Sequence, residues 1–180
     1  MNHNELDVDQ KTILYVYSKY SSEQDLGYLQ YTAALVLFFY LMRKGVFPSY
    51  KDQLLVYDYK DSRRYMWEDK KFMADINIVR DHGFLNRARL KTDSYRDLNA
   101  HYCTTKGAEF VASNSDFKSI SQKVDALLQC TCGNFRQIHL NDACPELGCV
   151  KCKNKSEKVE GFLQDLSQPI GLKYSAAYIG

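Results

Sequence analysis

Five of the six cysteines in this 180-residue chain crowd into one stretch, as Cys130-Thr-Cys132-Gly133 and then Cys144-Pro-Glu-Leu-Gly-Cys149-Val-Lys-Cys152. A chain with so dense a group of thiols must give them a common purpose. Two short turns that each present two sulfurs meet the demand of a tetrahedral Zn2+ site, and Gly133 and Gly148 permit turns in which backbone N–H groups approach thiolates. Cys130, Cys132, Cys149 and Cys152 are the expected ligands, with Cys144 as the substitute if one of the first pair is not used and His139 as a further candidate. The alternating run Phe135–Leu140 predicts a strand between the two turns.

Four thiolates leave no open coordination position for water, so such an ion is structural rather than catalytic. An iron–sulfur cluster is the alternative cofactor, and it would make the chain a redox sensor. Buried thiols without metal account poorly for the density of the cluster. The N-terminus, Met-Asn-His-Asn-Glu-Leu-Asp, has neither the basic nor the apolar region of a secretory signal, so the expected location is intracellular, where disulfides are disfavoured. Cys103 lies outside the cluster and reads as a small core residue.

Upstream, the most apolar run is Tyr28–Met42, too short for the roughly 20 residues of a bilayer span and interrupted by Gln30 and Thr32; it predicts a buried helix and no membrane partner. Ser22 or Asp25 caps that helix, expected over about Leu26–Lys44 and closed by Gly45. A second helix is expected over Ser49–Tyr57, and a third over Arg63–His82, with Phe72, Ile76 and Val79 at helical spacing and Gly83 as its stop. The short apolar piece Thr12–Tyr20 fits either helix or strand. From Phe84 to Lys91 the pattern alternates, Thr92–Asp97 is a polar turn, and Leu98–Thr105 returns as a second strand, which makes a β-hairpin. A capped helix then starts at Thr104, and Ser119–Gln129 carries Ile120, Val124, Leu127 and Leu128 on one face, a core or a dimer seam. Lys153–Lys158 reads as a solvated basic stretch, Val159–Leu166 as a short helix and Leu172–Ile179 as a strand.

The segment Asn77-Ile-Val-Arg-Asp-His-Gly-Phe-Leu85, the basic hairpin, and Tyr102-Cys-Thr-Thr-Lys-Gly-Ala-Glu-Phe-Val111 together resemble PadR-like winged-helix regulators over about residues 27–112, with Cys103-Thr104 where Leu-Thr is more usual. The cysteine region resembles a zinc ribbon, with Cys-x-Cys replacing the customary first Cys-x-x-Cys. The expected fold is therefore α+β: a winged helix-turn-helix domain with an N-terminal extension over 1–117, a connecting helix over 118–129 and a small metal-bound ribbon module over 130–180. The resemblance implies double-stranded DNA as partner, and a homodimer formed through helical faces. In that geometry the third helix enters the major groove and the wing meets the backbone. Arg63, Arg64, Lys70 and Lys71 on the helix and Arg87, Arg89, Lys91 and Arg96 on the wing are the expected DNA contacts.

Charge is consistent with that reading in its distribution rather than its sum. The net charge is +2, but residues 43–106 hold 14 Lys and Arg against 9 Asp and Glu. Glu68, Asp69 and Asp75 on the same expected helix would repel phosphates, and winged helices also serve as protein-interaction modules of larger assemblies. The four histidines form no visible catalytic arrangement, and no P-loop, dinucleotide fingerprint or H-E-x-x-H motif is present. The expectation is a DNA-binding transcriptional regulator with a structural zinc site and no enzymatic activity, with an assembly module or an iron–sulfur redox regulator as the other readings.

Overall fold

A computed structural model describes residues 5–24, 27–50, 54–59, 62–67, 70–91, 98–140, 144–152 and 156–165. The undecided piece Thr12–Tyr20 belongs to helix α1 (Val8–Tyr20). Its start is a capping box: Asp7 Oδ1 accepts from the Gln10 N–H at 2.9 Å, and Gln10 Oε1 accepts from the Asp7 N–H at 3.0 Å. A two-residue strand β1 (Leu29–Gln30) precedes α2 (Tyr31–Arg43), so the apolar helix begins later than the expected Leu26. Gly45, at φ 80°, closes α2 as anticipated: its N–H donates to Met42 O at 2.9 Å, and Val46 N–H reaches back to Leu41 O at 3.0 Å.

The expected second helix is absent. Leu54–Tyr59 is instead strand β2, paired antiparallel with β3 (Ser62–Trp67) from Leu54↔Trp67 to Tyr59↔Ser62. Both segments are rich in β-branched or aromatic residues, which suit a pleated surface, and cross-strand pairing overrides the weak helical signal after Pro48. For the same reason the expected third helix loses its first part. The helical spacing of Phe72, Ile76 and Val79 governs only α3 (Lys70–Asp81), and those three side chains are buried. Its end repeats the end of α2, with Gly83 at φ 74°, Gly83 N–H to Arg80 O at 2.7 Å and Phe84 N–H to Val79 O.

The expected hairpin is present as β4 (Leu85–Leu90) and β5 (Leu98–Cys103), with β1 added beyond β5 to give a sheet of order β1–β5–β4. The polar turn between its strands lies outside the described residues. Two helices follow, α4 (Thr105–Ser113) and α5 (Phe117–Leu128). The stripe of α5 is core within one chain, since Ile120, Val124 and Leu128 are buried and Leu127 packs against the same cluster. Three short strands, β6 (Gln137–His139), β7 (Glu146–Gly148) and β8 (Glu157–Lys158), form a second antiparallel sheet around the cysteines. The helix expected over Val159–Leu166 is replaced by a buried Val159, a turn through Gly161, a buried Phe162 and strand β9 (Leu163–Asp165), which pairs with β3. Lys158 of the expected basic stretch is exposed on β8; residues 153–155 and the strand expected over Leu172–Ile179 fall outside the described residues. No helix among the described residues is long and apolar enough to cross a membrane.

The residues that resemble the winged-helix signature act as a clasp. Thr104 caps α4 by accepting from Gly107 N–H at 3.1 Å while its hydroxyl donates to Gly83 O at 2.8 Å. Lys106 Nζ donates to His82 O at 2.7 Å, at the negative end of α3, and lies 5.0 Å from the centre of the Phe84 ring. Gly107 is required by contact: a Cβ there would stand 2.4 Å from the Phe84 carbonyl oxygen. Beneath the sheet, His101 and Tyr17 are buried with their rings edge to face at 5.9 Å, and among the described residues neither His101 Nδ1 nor Tyr17 Oη meets a hydrogen-bond partner. Burial pushes His101 down to about 4, and the Arg80 and Arg87 guanidinium groups add to the shift.

Gly107→Ala is expected to lower the unfolding free energy by about 2 kcal/mol in urea titrations, because a backbone carbonyl cannot yield as a side chain can. The helix propensity gained by replacing glycine, at most ~1 kcal/mol, offsets only part of that loss. His101 sets a pH dependence of known sign: the unfolded chain takes up its proton near the ordinary histidine value of about 6.5 and the folded chain only near 4. Stability therefore declines as pH falls through that window, and urea titrations of His101→Phe should lose this component.

Candidate metal centre

Each pair of cysteines is set by a different kind of anchor. The first follows α5 directly, where Gln129 bridges to Phe135 and the chain turns back on itself: Gly133 N–H donates to Cys130 O and Cys130 N–H to Asn134 O, both at 2.8 Å. Gly133 holds that turn at φ 84°, a conformation that disfavours side chains. The second pair follows β7, whose Leu147 is fully buried, and Cys149 itself is 7% exposed. Gly148 lets β8 approach, since a Cβ would meet the Ser156 side chain at 3.2 Å. One turn is therefore carried by a helix end at the surface and the other by a strand seated on the core.

These anchors bring Cys130, Cys132, Cys149 and Cys152 together, with all four sulfurs within 4.8 Å of one another. Cys130 and Cys152 Sγ are 3.8 Å apart, and Cys132 and Cys149 Sγ 3.5 Å. The quartet expected from spacing is the one assembled, and four thiols at this separation can hold a metal ion. Cys144 stands outside it, half-buried, with Sγ directed to its neighbour's carbonyl, Pro145 O, at 3.6 Å. His139 is exposed on β6, also outside the quartet. Cys103 is buried in the core as expected.

The electrostatics of the bare thiols are those of a site short of positive charge. The Asn134 side-chain amide, donating to Cys132 Sγ at 3.2 Å, leads in lowering that thiol to about 6, with neighbouring thiols assisting. A backbone N–H at Cys132 lowers Cys130. Cys152 is pushed up to about 12, first through its hydrogen bond to Cys132, because one sulfur in so tight a group retains the proton the others shed. A dication removes the conflict by allowing all four to ionise. Asn134 escaped the sequence reading; its signal was a polar amide directly after the Cys-Gly turn, where a donor to thiolate sulfur is needed.

Arg136 is the second residue the sequence did not single out. Its guanidinium donates to Tyr40 Oη at 3.0 Å, to Glu157 Oε2 at 3.2 Å and to the Leu127 carbonyl. Tyr40 Oη donates to the same carboxylate at 2.9 Å, and Lys44 Nζ lies 3.0 Å from its other oxygen. This half-buried clamp ties β8 and the first cysteine turn to α2. The two cations Lys44 and Arg136 and the Tyr40 hydroxyl hold the Glu157 carboxyl below the usual range despite partial burial.

The residues expected to meet DNA are distributed over β3, α3 and β4. Arg63 and Arg64 lie on strand β3 rather than on a helix, opposite Asp58 and Tyr57, and their side chains are outside those described. Lys70 and Lys71 open α3 and are exposed, but Lys71 Nζ sits 2.7 Å from Asp75 and 3.1 Å from Asp9. Buried Asp75 also accepts from Gln10 at 3.0 Å and Tyr50 at 2.9 Å, so Lys71 belongs to a structural network. Arg87 and Arg89 are exposed on one face of β4, with Arg87 Nε donating to Asn99 at 3.2 Å, and Lys91 is exposed just beyond. Arg96 is outside the described residues.

Compared with protein-family models, curated proteins and solved structures, the chain matches none.

Metal analysis of the purified chain should return one ion per molecule. Cys149→Ser should abolish that stoichiometry, whereas Cys144→Ser and His139→Ala should leave it intact; loss of metal from either of the latter would show that the ligand set is not the quartet.

Proposed function

We propose that this protein is a DNA-binding winged-helix regulator whose C-terminal part is held by a structural Zn2+. The observation that carries the reading is the wiring: helix α1, strand β1, helices α2 and α3, then the β4–β5 hairpin, with β1 beside β5 in the order β1–β5–β4. A winged helix-turn-helix is wired in this way, and the β2–β3 hairpin is an insertion between its second and third helices. The three helices are then α1, α2 and α3, with α1 in place of the helix expected over Ser49–Tyr57. The outer face of α3 presents Lys70, Ala74 and Asn77, and the wing presents Arg87, Arg89 and Lys91. Lys70 and the wing cations would meet phosphates, and Asn77 has the amide that pairs with adenine edges.

Zinc is preferred to an iron–sulfur cluster on the sulfur spacing. A single ion with bonds of about 2.3 Å spreads four thiolates into a tetrahedron of edge about 3.8 Å. The 3.5 and 3.8 Å separations lie near that edge and all four sulfurs fall within 4.8 Å, while a cluster distributes its thiolates over several irons and needs them further apart. Protein purified without oxygen should contain zinc and lack visible absorbance.

A protein-docking role is the second reading, favoured by the same helix face. Ile78 is 38% exposed there beside the exposed Asp81, and Lys71 is already neutralised. Fluorescence anisotropy on random duplexes with a salt titration separates the two. DNA binding predicts that Arg87→Ala with Arg89→Ala weakens affinity about tenfold and reduces the log-log salt slope by about 2. Binding unchanged by that double substitution, or none at low salt, removes the DNA reading.

A further inference from the structure

We propose that the thiolate site is also a peroxide-modification site, in which exposed Cys132 is oxidised by hydrogen peroxide and buried Cys149 resolves it, so that a disulfide takes the place of the ion. The inference rests on the zinc reading above.

The four sulfurs are not equivalent. Cys132 is the exposed member, Cys130 and Cys152 are half-buried, and Cys149 is buried. A peroxide molecule arriving from solvent therefore meets Cys132 first. Cys149 Sγ lies 3.5 Å from Cys132 Sγ, so a partner for the second step is already within one turn's adjustment. A disulfide requires about 2.05 Å, and the residues that must shift, Thr131, Cys132 and Gly133, are all exposed with no core contact to surrender. Cys149 is held by Leu147 and Gly148 beneath it, so the surface turn moves and the strand stays.

The chemistry balances. The Cys132 thiolate attacks one peroxide oxygen, the O–O bond breaks, and Cys132 sulfenic acid and hydroxide form. The Cys149 thiolate then attacks the sulfenic sulfur; the S–S bond forms and a second hydroxide leaves. Two protons from solvent convert both hydroxides to water, so two thiolates are oxidised by two electrons and one peroxide is reduced. Cys130 and Cys152 alone cannot retain the ion, and it departs.

The cross-link that results joins the same two elements as the ion did, the turn after α5 and the end of β7. The oxidised, metal-free chain therefore keeps the turn after α5 fixed to the end of β7, whereas the reduced chain stripped by a chelator does not.

Zinc-loaded full-length protein is titrated with hydrogen peroxide under a colorimetric zinc indicator, and the products are mapped by peptide mass spectrometry. The expected result is one zinc released per peroxide consumed, a Cys132–Cys149 disulfide, and zinc uptake restored by a dithiol reductant. Hydrogen exchange should keep the Cys130 N–H, which donates to Asn134 O at 2.8 Å, protected in the oxidised form and lose it in the chelated reduced form. Cys144→Ser should release zinc with unchanged stoichiometry. Zinc held against stoichiometric peroxide, a disulfide within either turn or through Cys144, or equal loss of protection in both metal-free forms overturns the proposal while leaving the zinc reading in place. Protein that contains no zinc overturns both.

Discussion

Helix α2 has no side that can face water, and the rest of the molecule is arranged around that constraint. Every residue from Ala34 to Leu41 is buried, more than two full turns, so the helix must be enclosed in all directions. Phe38 meets Tyr17 of α1 at 5.6 Å, Phe47 at 5.8 Å and Phe72 of α3 at 4.7 Å, while Phe39, on another face, meets Phe162 at 5.7 Å. Each buried aromatic of this kind contributes about 2–3 kcal/mol through burial. The N-terminal helices alone leave the Phe39 and Tyr40 side of α2 uncovered, and the polypeptide after the cysteines covers it. A single hydrophobic cluster consequently takes in residues from Leu6 to Phe162.

The hairpin region shows how a family-like signature can be explained by packing before any question of function arises. Thr104, Lys106 and Gly107 connect the end of α3, the base of β4 and the start of α4, through a hydroxyl, an ammonium group and the absence of a Cβ respectively. The three roles need these residue types at this spacing in any chain that places a helix directly after a hairpin and against the preceding helix. The motif thus specifies an angle between elements. Recognition of DNA would depend on what the outer faces of α3 and β4 present, and there the charges are divided between solvent and internal ion pairs.

What was legible in the sequence follows a physical pattern. Features determined by neighbours in the chain were readable: the glycine stops at Gly45 and Gly83, the cap at Thr104, the β4–β5 hairpin and the cysteine quartet. Features determined by distant partners were not. β2 and β3 exist because they pair with each other and β3 with β9, about a hundred residues away in the chain, and no local window holds that information. The same holds for Phe162, which packs on Phe39 of α2, and for Lys71, whose apparent availability vanishes once Asp9 and Asp75 are brought beside it. Arg63 and Arg64 were placed on a helix by extending a real periodicity past the point where it stops.

The same contrast explains why the C-terminal region depends on sulfur chemistry at all. Its strands β6, β7 and β8 are two or three residues long, too short to persist through their own ladders. Phe162 packs on Phe39 of α2, Leu147 and Val159 join the same core cluster, and the Arg136–Glu157–Tyr40 clamp ties β8 and the end of the first cysteine turn to α2. The turn after α5 has no buried residue between Gln129 and Asn134 and is held by its own hydrogen bonds rather than by core contact. Four thiols drawn within 4.8 Å cannot all ionise without a cation, so an ion bound there would both close the turn and relieve a repulsion the fold itself creates. The metal site and the buried face of α2 are thus complementary halves of one attachment, a polar cross-link where no core is available and a hydrophobic contact where it is.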